Sequence, residues 1–520
     1  AYLQDDFKLN QRVTFNLGLR YEYDSPITDA RDRLSRYLDL TNPIPEFQGA
    51  NAPKMPAEVA AIRTAAPVYN GAWVFTDSQN KALYNSPKLT LLPRVGVAIR
   101  VNDRTAIRAG WSRYVVPPSI NFAGGINILN AVPYPGYMIT SSPLPMLEGI
   151  PQARFNDPFP SGANPLAQPI GKSFGRYSQL GYTDATIWSY QDLKNAANDR
   201  ISLTLQRQIF GKIVVDATYF TNRGANHYYQ KGLNLSDPRI GFEQKALLAR
   251  RVDNPFYNIL TPQKFPGALR FQKQVRVSDL LAPYPQYGAL TQLFTPGIDK
   301  RYHAAQIKVQ RPFANGFNLL AGYNYHRSKE SEFYDTVDTY LDKFTPQESN
   351  DPRHKFNLSA IANLPFGRGR KWGADSGALV NSVFGGWTVS SIYQWVSGAY
   401  LRFGAMLVNG DPKLENPTRD RWFNTSVFVR QPDYTRRSNP LQFDGLTGPS
   451  LWSWDATLAK TVKIADRLSF EIRAESYNLT NTFIGALPIV NVDSSQFGRV
   501  VTQRPGYYGR QFQYTGRFRW

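Results

Sequence analysis

The sequence predicts an all-β chain, part of an antiparallel transmembrane β-barrel with long loops. Three observations carry that expectation. Thirteen segments alternate apolar and polar residues, most of them over nine or more positions. The connections between them alternate short and long. Aromatic residues gather at the two ends of the segments. Side chains alternate across a strand, so each segment has one apolar and one polar face. A membrane-spanning strand needs about 9–11 residues, whereas a typical soluble strand has about 5–6.

Composition agrees. The chain has 520 residues, with 30 Tyr, 31 Phe, 38 Gly and 37 Pro, which suits a loop-rich β protein. That length alone suggests about three domains, a prior that weakens for a barrel because its strands close into one unit. Mean hydropathy is −0.41 and no run long enough for a membrane helix is present. A barrel needs only alternate apolar residues. There is no cysteine, which excludes a disulfide framework, a thiolate metal site and a thiol nucleophile. The net charge of +20 is spread along the chain, and its longest basic run is Arg368-Gly369-Arg370-Lys371. Without a basic patch the surplus points to an anionic membrane surface and not to nucleic acid.

The elements follow in order. Segments 2–7 and 13–23 meet across a polar turn at Asn10-Gln11. In the second, Val13, Phe15, Leu17, Leu19, Tyr21 and Tyr23 alternate with polar residues and glycine. A Pro-rich connection, 24–92, leads to 93–101 and 104–115, which turn at Asn102-Asp103. A second long connection, 116–199, precedes 201–210 and 213–220. A third, 221–301, precedes 303–310 and 317–325, joined by an Asn315-Gly316 hairpin signal. Segment 356–364 is followed by a Gly-rich turn, 365–386, and by 387–397. After 398–453 come 454–464 and 468–478, turning at 465–467. A last loop, 479–510, precedes the closing segment 511–520. There Phe512, Tyr514, Gly516, Phe518 and Trp520 share one face and Arg517 and Arg519 lie on the other.

The faces separate charge. The apolar faces carry Arg113, Arg207 and Lys460, and the polar faces carry ten basic and five acidic residues. A charge at the bilayer midplane on the lipid side costs about 2–4 kcal/mol, so those three are expected near a rim or snorkelling. Tyr21, Tyr23, Trp111, Tyr323, Tyr325, Trp395 and Trp454 mark the long-loop end, and Phe317, Trp387, Phe518 and Trp520 the short-turn end. Two aromatic belts bound a lipid slab.

Several motifs carry a family resemblance. Gln4-Asp5-Asp6-Phe7 is followed by Leu17-Gly18-Leu19-Arg20-Tyr21-Glu22. Asn254-Pro255-Phe256-Tyr257, Pro283-Tyr284-Pro285-Gln286-Tyr287 and Tyr302-His303-Ala304-Ala305 come next. His354-Lys355-Phe356, 364–370, Trp422-Phe423-Asn424-Thr425 and Tyr477-Asn478-Leu479-Thr480-Asn481 complete the series. In this order they resemble TonB-dependent outer-membrane receptors of the Oar-like type. The resemblance implies a barrel of about 22 strands, plugged by an N-terminal domain and driven through TonB. Residues 1–520 then read as the C-terminal part of such a barrel, about 13 of its strands. On that reading the signal peptide, plug domain and first strands are expected to be absent from this chain. The expected place is the cell outer membrane. The expected partners are the lipid bilayer and lipopolysaccharide, TonB through the missing N-terminal region, the barrel-assembly machinery and an unknown solute.

Candidate functional residues follow from the polar faces. Arg20, Glu22, Arg94, Arg100, Arg108, Lys308, Glu471, Arg473, Glu475, Arg517 and Arg519 are expected to line the lumen. Their basic excess favours anionic solutes or an acidic plug. Phe512, Tyr514, Phe518 and Trp520 form the closing strand that the assembly machinery would read. The four histidines, His227, His303, His326 and His354, have no metal-ligand spacing. Residues 367–373 lack the following helix of a phosphate loop and read as a turn. Glu471 and Glu475 flank Arg473, which reads as an ion-paired wall and not as an acid–base pair. No enzyme, metal or cofactor is expected. The function expected is energised transport of a bulky solute, and the alternative is a non-transporting adhesin or structural barrel. The closing strand should end either at an open edge or in a closure on segment 2–7.

Overall fold

The computed structural model describes residues 1–116, 146–147, 150–151, 156, 171–465 and 467–520. Thirteen strands form one path in which every strand pairs antiparallel with its neighbour in sequence. They are β1 (Tyr2–Lys8), β2 (Val13–Glu22), β3 (Thr90–Asn102), β4 (Thr105–Val116), β5 (Ala196–Gln208), β6 (Val214–Gly232) and β7 (Leu290–Ala314). The path continues through β8 (Phe317–Glu332), β9 (His354–Asn363), β10 (Trp387–Val396), β11 (Leu451–Lys463), β12 (Ser469–Tyr477) and β13 (Gln511–Arg519). All thirteen expected segments are therefore strands. Among the described residues no ladder joins β1 to β13, so the sheet ends in two free edges.

Register keeps the faces continuous. Leu17 stands opposite Val95, Val95 opposite Trp111, and Trp111 opposite Ile201. On the far side Leu458 stands opposite Ala474, and Ala474 opposite Tyr514. The apolar face stays solvent-accessible along its length: Ile201, Leu203, Leu205, Ile307 and Ile472 are all about half exposed. A sheet with an uncovered apolar face of this size belongs in lipid.

The short turns have local causes. At Asn315-Gly316 both residues have positive φ, 52° and 75°, as a two-residue hairpin turn requires. Between β1 and β2, Asn10 Oδ1 accepts the Arg12 and Val13 amides at 2.8 and 2.9 Å. Position 466, in the turn after β11, and most of 117–170, in the connection after β4, lie outside the described residues.

Several expectations need correction. β6 and β8 run well past 220 and 325, and β7 begins at Leu290, well before 303, so the third long connection begins and ends as strand. The extension was hidden because register shifts between Gly224 and His227, and again by Lys231, break the two-residue period. Segment 365–386 is not only a Gly-rich turn, because Ala378–Phe384 is helical. Asp5, opposite Leu17, and Asp199, opposite Arg113, also lie on the apolar face. Tyr2 and Leu3 are adjacent at the start of β1 and obscure its alternation.

The long connections fold into two caps with their own cores. The first gathers Phe47, Tyr69, Trp73, Leu180, Phe256, Phe265 and Tyr287 from segments up to 240 residues apart. The second gathers Leu401, Phe403, Met406, Phe423, Phe428 and Leu446. Small hairpins brace them: Ser35–Pro43 with Asn70–Phe75 in the first, and Met406–Val408 with Phe428–Arg430 in the second.

Candidate functional site

The polar face collects all eleven residues expected to line a lumen. Near the long-connection end Arg20 and Glu22 pair at 2.5 Å. Arg94 has its guanidinium 5.3 Å from the Tyr114 ring and no carboxylate at ion-pair distance among the described residues. Nearer the short turns Arg108 donates to Gln206 Oε1 at 3.1 Å, and Gln206 donates to Asp216 at 2.6 Å. Lys308 stands directly opposite Asp216 on the next strand. One polar row thus crosses four strands. Arg100 turns to Asp103 at 2.7 Å.

A second cluster lies at the far edge of the sheet. Arg473 sits between Glu471 and Glu475, at 3.1 and 3.7 Å. Arg519 reaches Glu471 at 3.4 Å, and Arg517 stands opposite Glu471 in register. Both carboxylates have cationic neighbours, which fits a wall and not a proton shuttle. The first cluster, by contrast, keeps uncompensated guanidinium charge.

Sequence reasoning missed a groove beside Arg94. Gly18, Gly96 and Gly110 lie at neighbouring positions on β2, β3 and β4, and with Ser112 and Ser202 they leave a space of about 360 Å³. Arg200 closes one side, its guanidinium 4.6 Å from the Phe220 ring. Each glycine alone carries no signal. Only the register, with Gly96 opposite Gly110, brings them together.

Arg113, Arg207 and Lys460 lie towards the margins of the apolar face, and Arg113 and Lys460 have partners there. Arg113 and Asp199 face each other at the long-connection end and form two hydrogen bonds of 2.8 and 2.9 Å. Arg207 is the penultimate residue of β5, at the short-turn rim. Lys460 donates to the carbonyls of Val383 and Gly385 at 2.9 and 2.7 Å, with the Trp387 ring 4.8 Å from its ammonium. Phe512, Tyr514, Phe518 and Trp520 are all exposed on the free edge strand and its end.

Some motif residues are stapled into the caps, several of them through residues outside the motifs. Asn234 donates to the carbonyls of Tyr284, Tyr287 and Gly288 at 3.0, 3.2 and 2.8 Å, and accepts the Tyr284 amide at 2.8 Å. Gln286 is fully buried and donates to the Val68 and Asn70 carbonyls. Asn254 donates to the Leu269 and Gln272 carbonyls at 2.6 and 2.7 Å. Asn478, at φ 51°, donates to the Thr482 and Tyr508 carbonyls. Glu46 accepts from Lys264 at 2.8 Å and from Tyr177 at 2.7 Å, joining three segments of the first cap. Burial pushes the Glu46 carboxyl up, but those hydrogen bonds, a backbone hydrogen bond and the Lys264 charge together outweigh it and hold it below its ordinary value. A depression of about 1080 Å³ lies on this cap beside Lys54, Met55 and Arg63. Among the described residues no group of three or more His, Asp or Glu is placed to hold a metal ion.

The ferric-catecholate import receptor Fiu from E. coli K12 superposes with a TM-score of 0.40 at 12% identity, over 100% of this chain and 44% of its own. The outer-membrane transporter YddB from Escherichia coli gives 0.42 at 11%, over 100% and 44%. The copper transporter OprC gives 0.37 at 10%, over 98% and 46%. The chain spans less than half the length of each of these structures. No curated protein sequence matches significantly. The sequence model of the outer membrane beta barrel domain matches residues 1–513. This chain therefore belongs to the outer membrane β-barrel domain family, and the outer membrane is where it resides.

Proposed function

We propose that residues 1–520 are the C-terminal part of a TonB-dependent receptor of the Oar-like type, and that the whole protein moves a bulky solute across the outer membrane with energy delivered through TonB. The observation that carries this reading is the pair of free edges, on β1 and β13. A membrane barrel must close, because unpaired backbone groups are costly in lipid. Closure then draws on strands outside these thirteen, and plugged barrels of about 22 strands are transporters. In this reading the signal peptide, plug and remaining strands belong to the rest of the protein.

The eleven polar-face residues line the lumen, and the basic part around Arg94, Arg100 and Arg108 attracts anionic solute or acidic plug surface. Phe512, Tyr514, Phe518 and Trp520 are the recognition strand for the barrel-assembly machinery. Lipopolysaccharide surrounds the long-connection end. No catalysis and no cofactor are assigned.

The self-contained cores of the two caps favour a second reading, a surface adhesin or structural barrel. One experiment separates the two. A deletion strain is complemented with the full-length gene in TonB-proficient and TonB-deficient cells. Uptake or export of ferric siderophores, oligosaccharides, peptides and small proteins is then measured. Movement of at least one solute class is expected to need both the gene and TonB. Equal movement in all strains refutes transport and leaves the adhesin reading.

A further inference from the structure

The connection between β9 and β10 differs from the other short-end turns. It runs over 364–386 and contains the helix Ala378–Phe384. Leu379, Val380, Val383 and Phe384 are 84, 52, 56 and 60% exposed. They sit at positions i, i+1, i+4 and i+5, which is one face of a helix. Trp372, its ring tilted against Phe366 with centroids 5.1 Å apart, adds another half-exposed ring. Around it lie Arg368, Arg370 and Lys371, all exposed and none in an ion pair among the described residues. The only acid in the connection is Asp375.

The helix is fixed to the membrane face of the sheet. Trp387 and Lys460 stand opposite each other on the apolar face. The Trp387 indole donates to the Val383 carbonyl at 3.0 Å, and the Lys460 ammonium to the Val383 and Gly385 carbonyls. These are the last carbonyls of the helix, where a cation is favoured. A further bond, from the Arg368 amide to Asn381 Oδ1 at 2.7 Å, ties the basic segment to the helix. The exposed apolar helix face therefore adjoins the lipid-facing surface at its short-turn margin.

We propose that 364–386 is a phospholipid-binding anchor. Its helix lies in the periplasmic leaflet with Leu379, Val380, Val383 and Phe384 among acyl chains, and Arg368, Arg370 and Lys371 hold anionic phosphate headgroups. Short turns of outer-membrane barrels face the periplasm, and that leaflet is phospholipid. An apolar helix face beside basic and aromatic residues is the pattern of a helix that lies in the interface. The inference rests on the outer-membrane placement and not on transport.

The test uses the full-length protein in vesicles of phosphatidylethanolamine, with and without phosphatidylglycerol. A nitroxide is attached at Leu379→Cys, at Val383→Cys, and, as a water-exposed reference, at Arg467→Cys. Collision with oxygen should exceed collision with a water-soluble nickel chelate several-fold at 379 and 383, and the order should reverse at 467. Phosphatidylglycerol should deepen the 379 label, and Arg368→Gln/Arg370→Gln/Lys371→Gln should abolish that deepening. Heat-modifiable gel migration confirms that each variant is folded. A nickel-accessible 379 label overturns the proposal, as does one shielded from both colliders, which would mean a protein cover. Deepening that survives the triple substitution refutes the headgroup site.

Discussion

Leu203 and Ser202 are adjacent on β5 but belong to opposite faces, so the same substitution should have very different costs. Leu203 lies five residues from Gln208, the short-turn end of the strand. At about 3.4 Å per residue and a tilt near 45°, that is about 12 Å of depth, close to half of an apolar band about 25 Å tall. Leu203→Arg therefore puts a guanidinium near the midplane on the lipid side, at a cost of about 2–4 kcal/mol. Ser202→Arg enters the glycine-lined groove, which holds about 360 Å³ of space. Its main opponent is Arg200, two residues along the same face. At about 7 Å in water that repulsion is about 0.6 kcal/mol before salt screening. Urea unfolding of the full-length protein in phospholipid vesicles, followed by tryptophan fluorescence, measures both. Equal losses, or a larger loss at 202, would refute the assignment of faces.

Other outcomes test the caps. Asn234→Ala leaves buried carbonyls and the Tyr284 amide without their partner, at a cost of about 1–3 kcal/mol. Hydrogen exchange should rise in 283–288 and stay unchanged in β2–β5; unchanged exchange in 283–288 counts against the staple. Gly181 has φ 80°, and a Cβ there would come 2.1 Å from the Phe265 ring. Gly181→Ala should destabilise the first cap by at least about 1–3 kcal/mol, seen as faster protease cleavage in 261–272. The lowered carboxyl of Glu46 adds stability that is present above the ordinary glutamate range, about 4.3, and is lost as pH falls through the lowered value. Exchange at 45–47 should stay flat from pH 7 to 5 and rise only in stronger acid. Glu46→Gln should remove that acid step, and loosening already between pH 7 and 5 would contradict it.

The strands were legible because each carries its own signal. In 13–23 or 468–478 the two-residue period is visible without knowing any partner. The caps were not legible, because their cores join residues with no common period. Phe47 meets Phe265, and Tyr69 meets Phe256, across about two hundred positions. Asn234 shows no staple in the sequence, since its partners lie some fifty residues on. The helix at Ala378–Phe384 is short, flanked by glycine and without a side-chain cap, so composition pointed to a turn. The site divides in the same way. Its charged residues followed from alternation, whereas the groove of Gly18, Gly96 and Gly110 exists only in register.

The apolar face of this sheet meets lipid on every strand from β1 to β13. The most direct measurement places a fluorophore at single cysteines from 512 to 518, one at a time, in the full-length protein. The vesicles carry bromine in their acyl chains. Quenching should be strong at 512, 514, 516 and 518 and weak at 513, 515 and 517. Quenching without a two-residue period, or with the opposite phase, would contradict a lipid-facing apolar face.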